Sequence, residues 1–95
     1  MQLPVFTFIF EYGGGTYISQ VRSRDARSAQ VAWAKSLRPR EIRRLGEKRL
    51  AQLVQDIEQD PHKLYQPVAL NHLNNVWCGA TPFGLLNIVK TESIQ

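Results

Sequence analysis

Residues 5–12 alternate strictly in character. Phe6, Phe8, Phe10 and Tyr12 take the even positions, and Val5, Thr7, Ile9 and Glu11 the odd ones. A period of two is the mark of an extended strand, and here it gathers four aromatic rings on one face that the rest of the chain has to cover. Gly13, Gly14 and Gly15 follow. Glycine reaches the positive φ angles of tight hairpin turns, so residues 16–23 are expected to return antiparallel and close a hairpin over 4–23. With Gly13 and Gly14 as a two-residue turn, Phe10 faces Tyr17, Phe8 faces Ser19 and Phe6 faces Val21, while Ile9 opposite Ile18 and Thr7 opposite Gln20 share the second face. A loop one residue longer would set Phe8 against Gln20 and Phe6 against Arg22, a poorer use of an aromatic face. Glycine-rich loops that cradle phosphates lead from a strand into a helix, whereas here a second strand follows.

The period then changes. Asp25 is placed to cap a helix over 25–38, on which Ala26, Ala29, Trp33 and Leu37 recur at helical spacing up to the stop at Arg38-Pro39. Trp33 is the anchor expected to pack this helix on the aromatic face of the hairpin. A hairpin with Gly14-Gly15-Thr16-Tyr17-Ile18 at its turn, feeding an alanine-rich helix, resembles the start of HicB-type antitoxin domains. The likeness covers barely a third of the chain, with no match in the remainder.

A second helix is expected over 39–59. Ile42, Leu45, Leu50, Leu53, Val54 and Ile57 fall on one stripe with Gly46 near its centre. A glycine there costs about 1 kcal/mol of helix propensity, and it implies either close approach of another backbone or a kink or break. Ten of the twelve Lys and Arg lie between Arg22 and Arg49 against Asp25, Glu41 and Glu47, so this stretch carries +7 and, from the total of +4, the remainder −3. Arg40, Arg44 and Lys48 recur at steps of four opposite the apolar stripe. Arg38, Arg40, Arg43 and Arg44 crowd the N-terminal end of the expected helix and Asp56, Glu58 and Asp60 its C-terminal end, against the helix dipole. Such a placement points to an acidic partner, with Arg38, Arg40, Arg44 and Lys48 as the candidate contacts; a solvated helix face is the plainer alternative.

After Asp60-Pro61, residues 60–75 lack a sustained period and read as an irregular connection pinned by its apolar side chains. A second hairpin is expected over 76–91 around Thr81-Pro82-Phe83-Gly84, with Val76, Cys78 and Ala80 on one face and Trp77 on the other. From its last strand either Leu86 and Ile88 or Leu85 and Val89 reach the core. Residues 93–95 are expected to fray.

Chemistry-bearing residues are few. Cys78 with His62 or His72 is the one conceivable nucleophile and base pair, but a free cysteine in mid-strand is usually a small buried hydrophobe. The spacing of the three matches no familiar zinc pattern and lacks a fourth ligand. Glu11, Asp56, Glu58 and Asp60 show no pairing suited to acid–base work. Asn71, Asn74 and Asn75 beside Trp77 fit either a recognition loop or ordinary turn chemistry. No catalytic, cofactor-binding or metal-ligating set is therefore expected, and the chain is read as non-enzymatic.

Composition agrees with one small domain. Its 95 residues, 43% hydrophobic and 21% charged, suit a globular body burying about 60 to 65% of its unfolded surface. No basic leader or bilayer-length apolar stretch is present and the single cysteine makes no internal disulfide, so a cytoplasmic location without membrane attachment is expected. The expected fold is an α+β two-layer sandwich in the order β-β-α-α-β-β, with antiparallel hairpins and two helices packed on one face. Val5, Thr7 and Ile9 beside Ile18 leave the other face unusually apolar, to be covered by another element or a partner. The expected function is protein–protein association by a regulatory or antitoxin-like adaptor, with a protein partner or with a second copy as a homodimer. The alternative is weakly specific nucleic-acid binding by the basic stripe, since rings that form the core cannot stack bases.

Overall fold

The glycine hairpin closes in the register that the aromatic alternation requires. In the computed structural model, which describes residues 2–91, strand β1 (Val5–Tyr12) pairs antiparallel with β2 (Gly15–Arg22), setting Phe10 against Tyr17, Phe8 against Ser19 and Phe6 against Val21. Gly13 at φ 56° and Gly14 at φ 83° form the two-residue turn. Positive φ at both positions matches the twist of the flanking strands. Phe6, Phe8 and Phe10 are buried, each contributing about 1.5 to 3 kcal/mol relative to exposure.

Helix α1 (Ala26–Ser36) begins at the expected cap: the Asp25 carboxylate accepts from the Ser28 amide at 2.7 Å. Hydrogen bonding to the charged form, chiefly from that amide, holds the Asp25 carboxyl below its ordinary value against a smaller opposing effect of burial. The helix ends where Leu37 turns extended ahead of Arg38-Pro39. Trp33 stacks on Phe8 at 5.4 Å between ring centroids and meets Phe10 edge-on at 5.4 Å, so α1 is seated directly on the aromatic face.

The second helix is not continuous over 39–59. Pro39–Glu41 forms a short 3-10 turn, and α2 spans Gly46–Gln59. Arg44 at φ 66° in the connection and Gly46 at φ 78° at the first position of α2 adopt left-handed backbone, which the interior of a right-handed helix cannot incorporate. A Cβ built on Gly46 meets nothing within 4 Å, so the glycine serves the break and not a close backbone approach. The cause is tertiary. Tyr12 Oη donates to the Arg44 carbonyl at 3.0 Å and the Arg43 amide donates to Tyr17 Oη at 3.1 Å, so two hairpin tyrosines hold the connection while Ile42 and Leu45 turn into the core. The dipole argument changes at one end only: Glu47 occupies the first turn of α2, where a carboxylate is favourable, whereas Asp56, Glu58 and Asp60 still stand at its C-terminal end. Leu50, Leu53 and Ile57 carry α2 into the same core, and this helix lies against α1 and the 3-10 turn.

Residues 60–75 are mostly irregular but also contain a strand, β3 (Val68–Ala69), which was not expected. Asp60 ends α2 in left-handed conformation, and its buried carboxylate accepts from the amides of Leu64 at 2.7 Å and Tyr65 at 3.0 Å. Buried Gln30 on α1 donates to the Tyr65 carbonyl and accepts from Arg27. These bonds hold the segment so that β3 pairs with β4 (Val76–Ala80), Val68 opposite Cys78.

Strand β5 (Leu85–Thr91) pairs with β4 on one side and β1 on the other, placing Ile88 beside Phe8 and Leu86 beside Phe10. Leu86 and Ile88 are therefore the core residues of this strand, and Leu85 is 61% exposed. The two hairpins join into one antiparallel sheet in the order β2-β1-β5-β4-β3, giving a small α+β domain with five strands and two helices. The expected four-strand order lacked β3. A radius of gyration of 13.0 Å is that of one compact body of this length. The expected fraying of residues 93–95 lies outside the described residues.

Candidate functional site

A strand alternates its side chains between two faces, and the strand register carries that alternation across the sheet. One face takes Phe6, Phe8, Phe10, Leu86 and Ile88, and the helices cover it. On the other, a single row runs through all five strands: Val68, Cys78, Asn87, Ile9 and Ile18. The next row is Val76, Val89, Thr7 and Gln20. Neither helix contributes its core residues to this side, and Ile18, Val68 and Leu85 are 66%, 63% and 61% exposed.

Apart from Asn87 in the central row, the polar side chains of the open face are largely hydrogen-bonded within it. Thr7 Oγ1 shares a 2.8 Å bond with Thr91 Oγ1 and accepts from Gln20 Nε2 at 2.9 Å, while Thr16 Oγ1 donates to the Glu11 carboxylate at 2.8 Å. Among the described residues its charged side chains are Glu11 and Arg22. They stand at opposite ends of the hairpin, Glu11 opposite Thr16 by the turn and Arg22 opposite Val5 at the far end.

Arg38, Arg40, Arg44 and Lys48 do not form the expected row. Arg38 is extended, Arg40 is in the 3-10 turn, Arg44 is in the left-handed connection and only Lys48 lies on α2. Steps of four align side chains only along an unbroken helix, and the break dissolves the stripe. All four are exposed, and none makes an ion pair among the described residues. Arg49 bonds through its guanidinium to the Arg44 and Leu45 carbonyls at 3.4 Å, tying the connection to α2.

Cys78 lies half-buried on the open face, and its thiol donates to the neighbouring Gly79 carbonyl at 3.8 Å. His62 and His72 are exposed in turns, and neither hydrogen-bonds to the thiol. No group of three metal-ligating side chains occurs among the described residues. Asn71, Asn74 and Asn75 are exposed in the link between β3 and β4, where Asn75 at φ 66° accepts from the Lys90 amide, a turn role. Among the described residues no helix is long and apolar enough to cross a membrane.

Sequence reasoning brought out the hairpin half of the open face and missed Val68. Leu85 was ambiguous because both of its possible faces were apolar, and Val68 sits where no period marks a strand. Compared with family models, curated proteins and solved structures, the chain gives no significant match. The likeness of its first third to HicB-type antitoxin domains is thus not accompanied by a family match.

Proposed function

We propose that this domain is a non-catalytic association module whose open sheet face packs against a second copy of the chain. The observation that supports the reading is the row from Val68 to Ile18, which crosses five strands without a charged residue and is left uncovered by both helices. Five strands spaced by about 4.8 Å, with long strands of about 20 Å, offer on the order of 400 to 500 Å² in projection. Side-chain relief raises this toward the roughly 600 to 1,000 Å² per partner of a standard interface. Charge favours a copy as occupant. A twofold axis lying in the interface and crossing the strands lays the Glu11 end of one face over the Arg22 end of the other, so the opposite charges meet twice.

Among the described residues the same face carries no aromatic ring, since Phe6, Phe8, Phe10 and Trp33 are buried and Tyr17 and Trp77 share the side of Phe10 and Ile88. A sheet without stacking platforms is a poor surface for single-stranded nucleic acid. A regulatory, antitoxin-like adaptor suits a module of this kind.

Sedimentation equilibrium over a wide concentration range tests the reading. The mass is expected to rise from 10.9 kDa toward twice that value. Ile18→Glu is expected to hold the protein at the monomer mass and, at concentrations where the wild type is also monomeric, to leave melting unchanged, because Ile18 is 66% exposed in the free chain. A wild type that stays monomeric at every concentration refutes self-association, and a variant that dimerises like wild type refutes this face.

A further inference from the structure

The two tyrosine contacts that break the second helix also bring residues 43 and 44 up to the glycine turn. Between them lies a polar notch of about 160 Å³ lined by Gly13, Gly14, Gly15, Tyr17, Arg43 and Arg44. Tyr17 Oη is already engaged, accepting from the Arg43 amide. The guanidinium groups of Arg43 and Arg44 make no hydrogen bond or ion pair among the described residues. The amides of Gly13 and Gly14 likewise have no partner among them. Among the described residues nothing lies within 4 Å of the point where a Cβ on either glycine would stand, so the turn is open to an approaching group. Among the described residues no carboxylate lines the notch; Glu11, beside the turn in sequence, projects to the open face of the sheet and binds Thr16.

Two unpaired guanidinium groups beside unpaired main-chain donors suit a compact oxyanion with several acceptor oxygens. Arg44 also holds left-handed backbone, a conformation that glycine or asparagine adopts more readily, which sets its side chain off from the helix that follows. We propose that the notch binds a phosphate-type oxyanion, with Arg43 and Arg44 donating from their guanidinium groups and the Gly13–Gly14 turn from its amides. This goes beyond the association reading and uses the end of the domain, not its open face. The arrangement differs from a phosphate loop, since the arginines come from a separate connection and no helix follows the glycines.

The test is a titration of the ¹⁵N-labelled protein with inorganic phosphate at low ionic strength, matched by chloride. Saturable shifts are expected at Gly13, Gly14, Gly15, Arg43 and Arg44. The double variant Arg43→Gln/Arg44→Asn is expected to weaken binding about tenfold or more, the loss of charge-assisted hydrogen bonds. Asparagine tolerates the left-handed conformation, so the variant is expected to keep wild-type spectral dispersion and melting. Arg43→Lys, which keeps charge and loses the fork, should fall between the two. A second arm uses a single-stranded thymidine oligonucleotide. Tighter binding there, weakening steeply with salt, makes a nucleic-acid backbone the source of the phosphate; binding no tighter than inorganic phosphate makes it a free phosphate ester. Shifts that never saturate, that spread evenly to Arg38, Arg40 and Lys48, or that persist in the double variant overturn the site.

Discussion

Replacing Gly84 by alanine tests the way the two halves of the sheet meet. Gly84 ends the turn between β4 and β5, where its amide and carbonyl both bond to Thr81 Oγ1 at 2.9 Å and its carbonyl also takes the Thr81 amide at 2.9 Å. A Cβ built there stands 2.0 Å from the Glu11 carbonyl oxygen and 3.2 Å from its carbon, and ordinary contact begins at 3.4 Å. Both sides of the clash are main chain, so no side-chain rotation relieves it. The turn has to withdraw by about 1 Å or more, which loosens either the Thr81 bonds or the adjoining β1–β5 pairing of Phe10 with Leu86. Overpacking of this kind costs about 1 to 3 kcal/mol, and one weakened hydrogen bond about 1 more. A total near 3 kcal/mol is a large part of the roughly 5 to 14 kcal/mol a chain of this size holds, and lowers the melting temperature by about 12 to 24 °C. Gly14→Ala is the control: at φ 83° with nothing within 4 Å, it carries only the conformational penalty of about 1 to 2 kcal/mol. Urea titrations and thermal melts of both variants decide the matter. If Gly84→Ala melts no lower than Gly14→Ala, the close approach of the turn to β1 is refuted.

Two further substitutions probe the core and the first helix. Trp33→Ala removes the ring that stacks on Phe8 and meets Phe10, and is expected to cost about 3 to 5 kcal/mol by denaturant titration; a loss under about 1 kcal/mol would mean that α1 is not anchored there. Asp25→Ala is expected to cost about 1 kcal/mol at neutral pH, whereas Asp25→Asn, which still caps, costs only a few tenths. Because the folded carboxyl sits below its ordinary value of 3.8, its ionic contribution is complete above that pH and is lost as pH falls through the lower folded value. The gap between wild type and Asp25→Asn is therefore expected to close on the acid side, and a gap that widens with acidification contradicts the assignment.

Local signals in this chain were strong where neighbours in sequence are neighbours in space. The aromatic alternation from Phe6 to Tyr12 and the Gly13-Gly14 turn set a hairpin register that needs no other element, and Asp25 with Arg38-Pro39 bounded α1 by capping and by steric exclusion of the helix before proline. The uncovered apolar face was half legible for the same reason, through Val5, Ile9 and Ile18. What remained was decided by contacts between segments far apart in the chain. The stripe from Ile42 to Ile57 is compatible with one helix, and only the grip of Tyr12 and Tyr17 on residues 43 and 44 breaks it, scattering Arg38, Arg40, Arg44 and Lys48 and making the notch at the glycine turn. Likewise β3 is two residues long and has no period of its own. It exists because Asp60 and Gln30 hold the preceding segment beside β4, an arrangement that depends on hydrogen-bond partners as much as 35 residues apart and so leaves no local pattern to read.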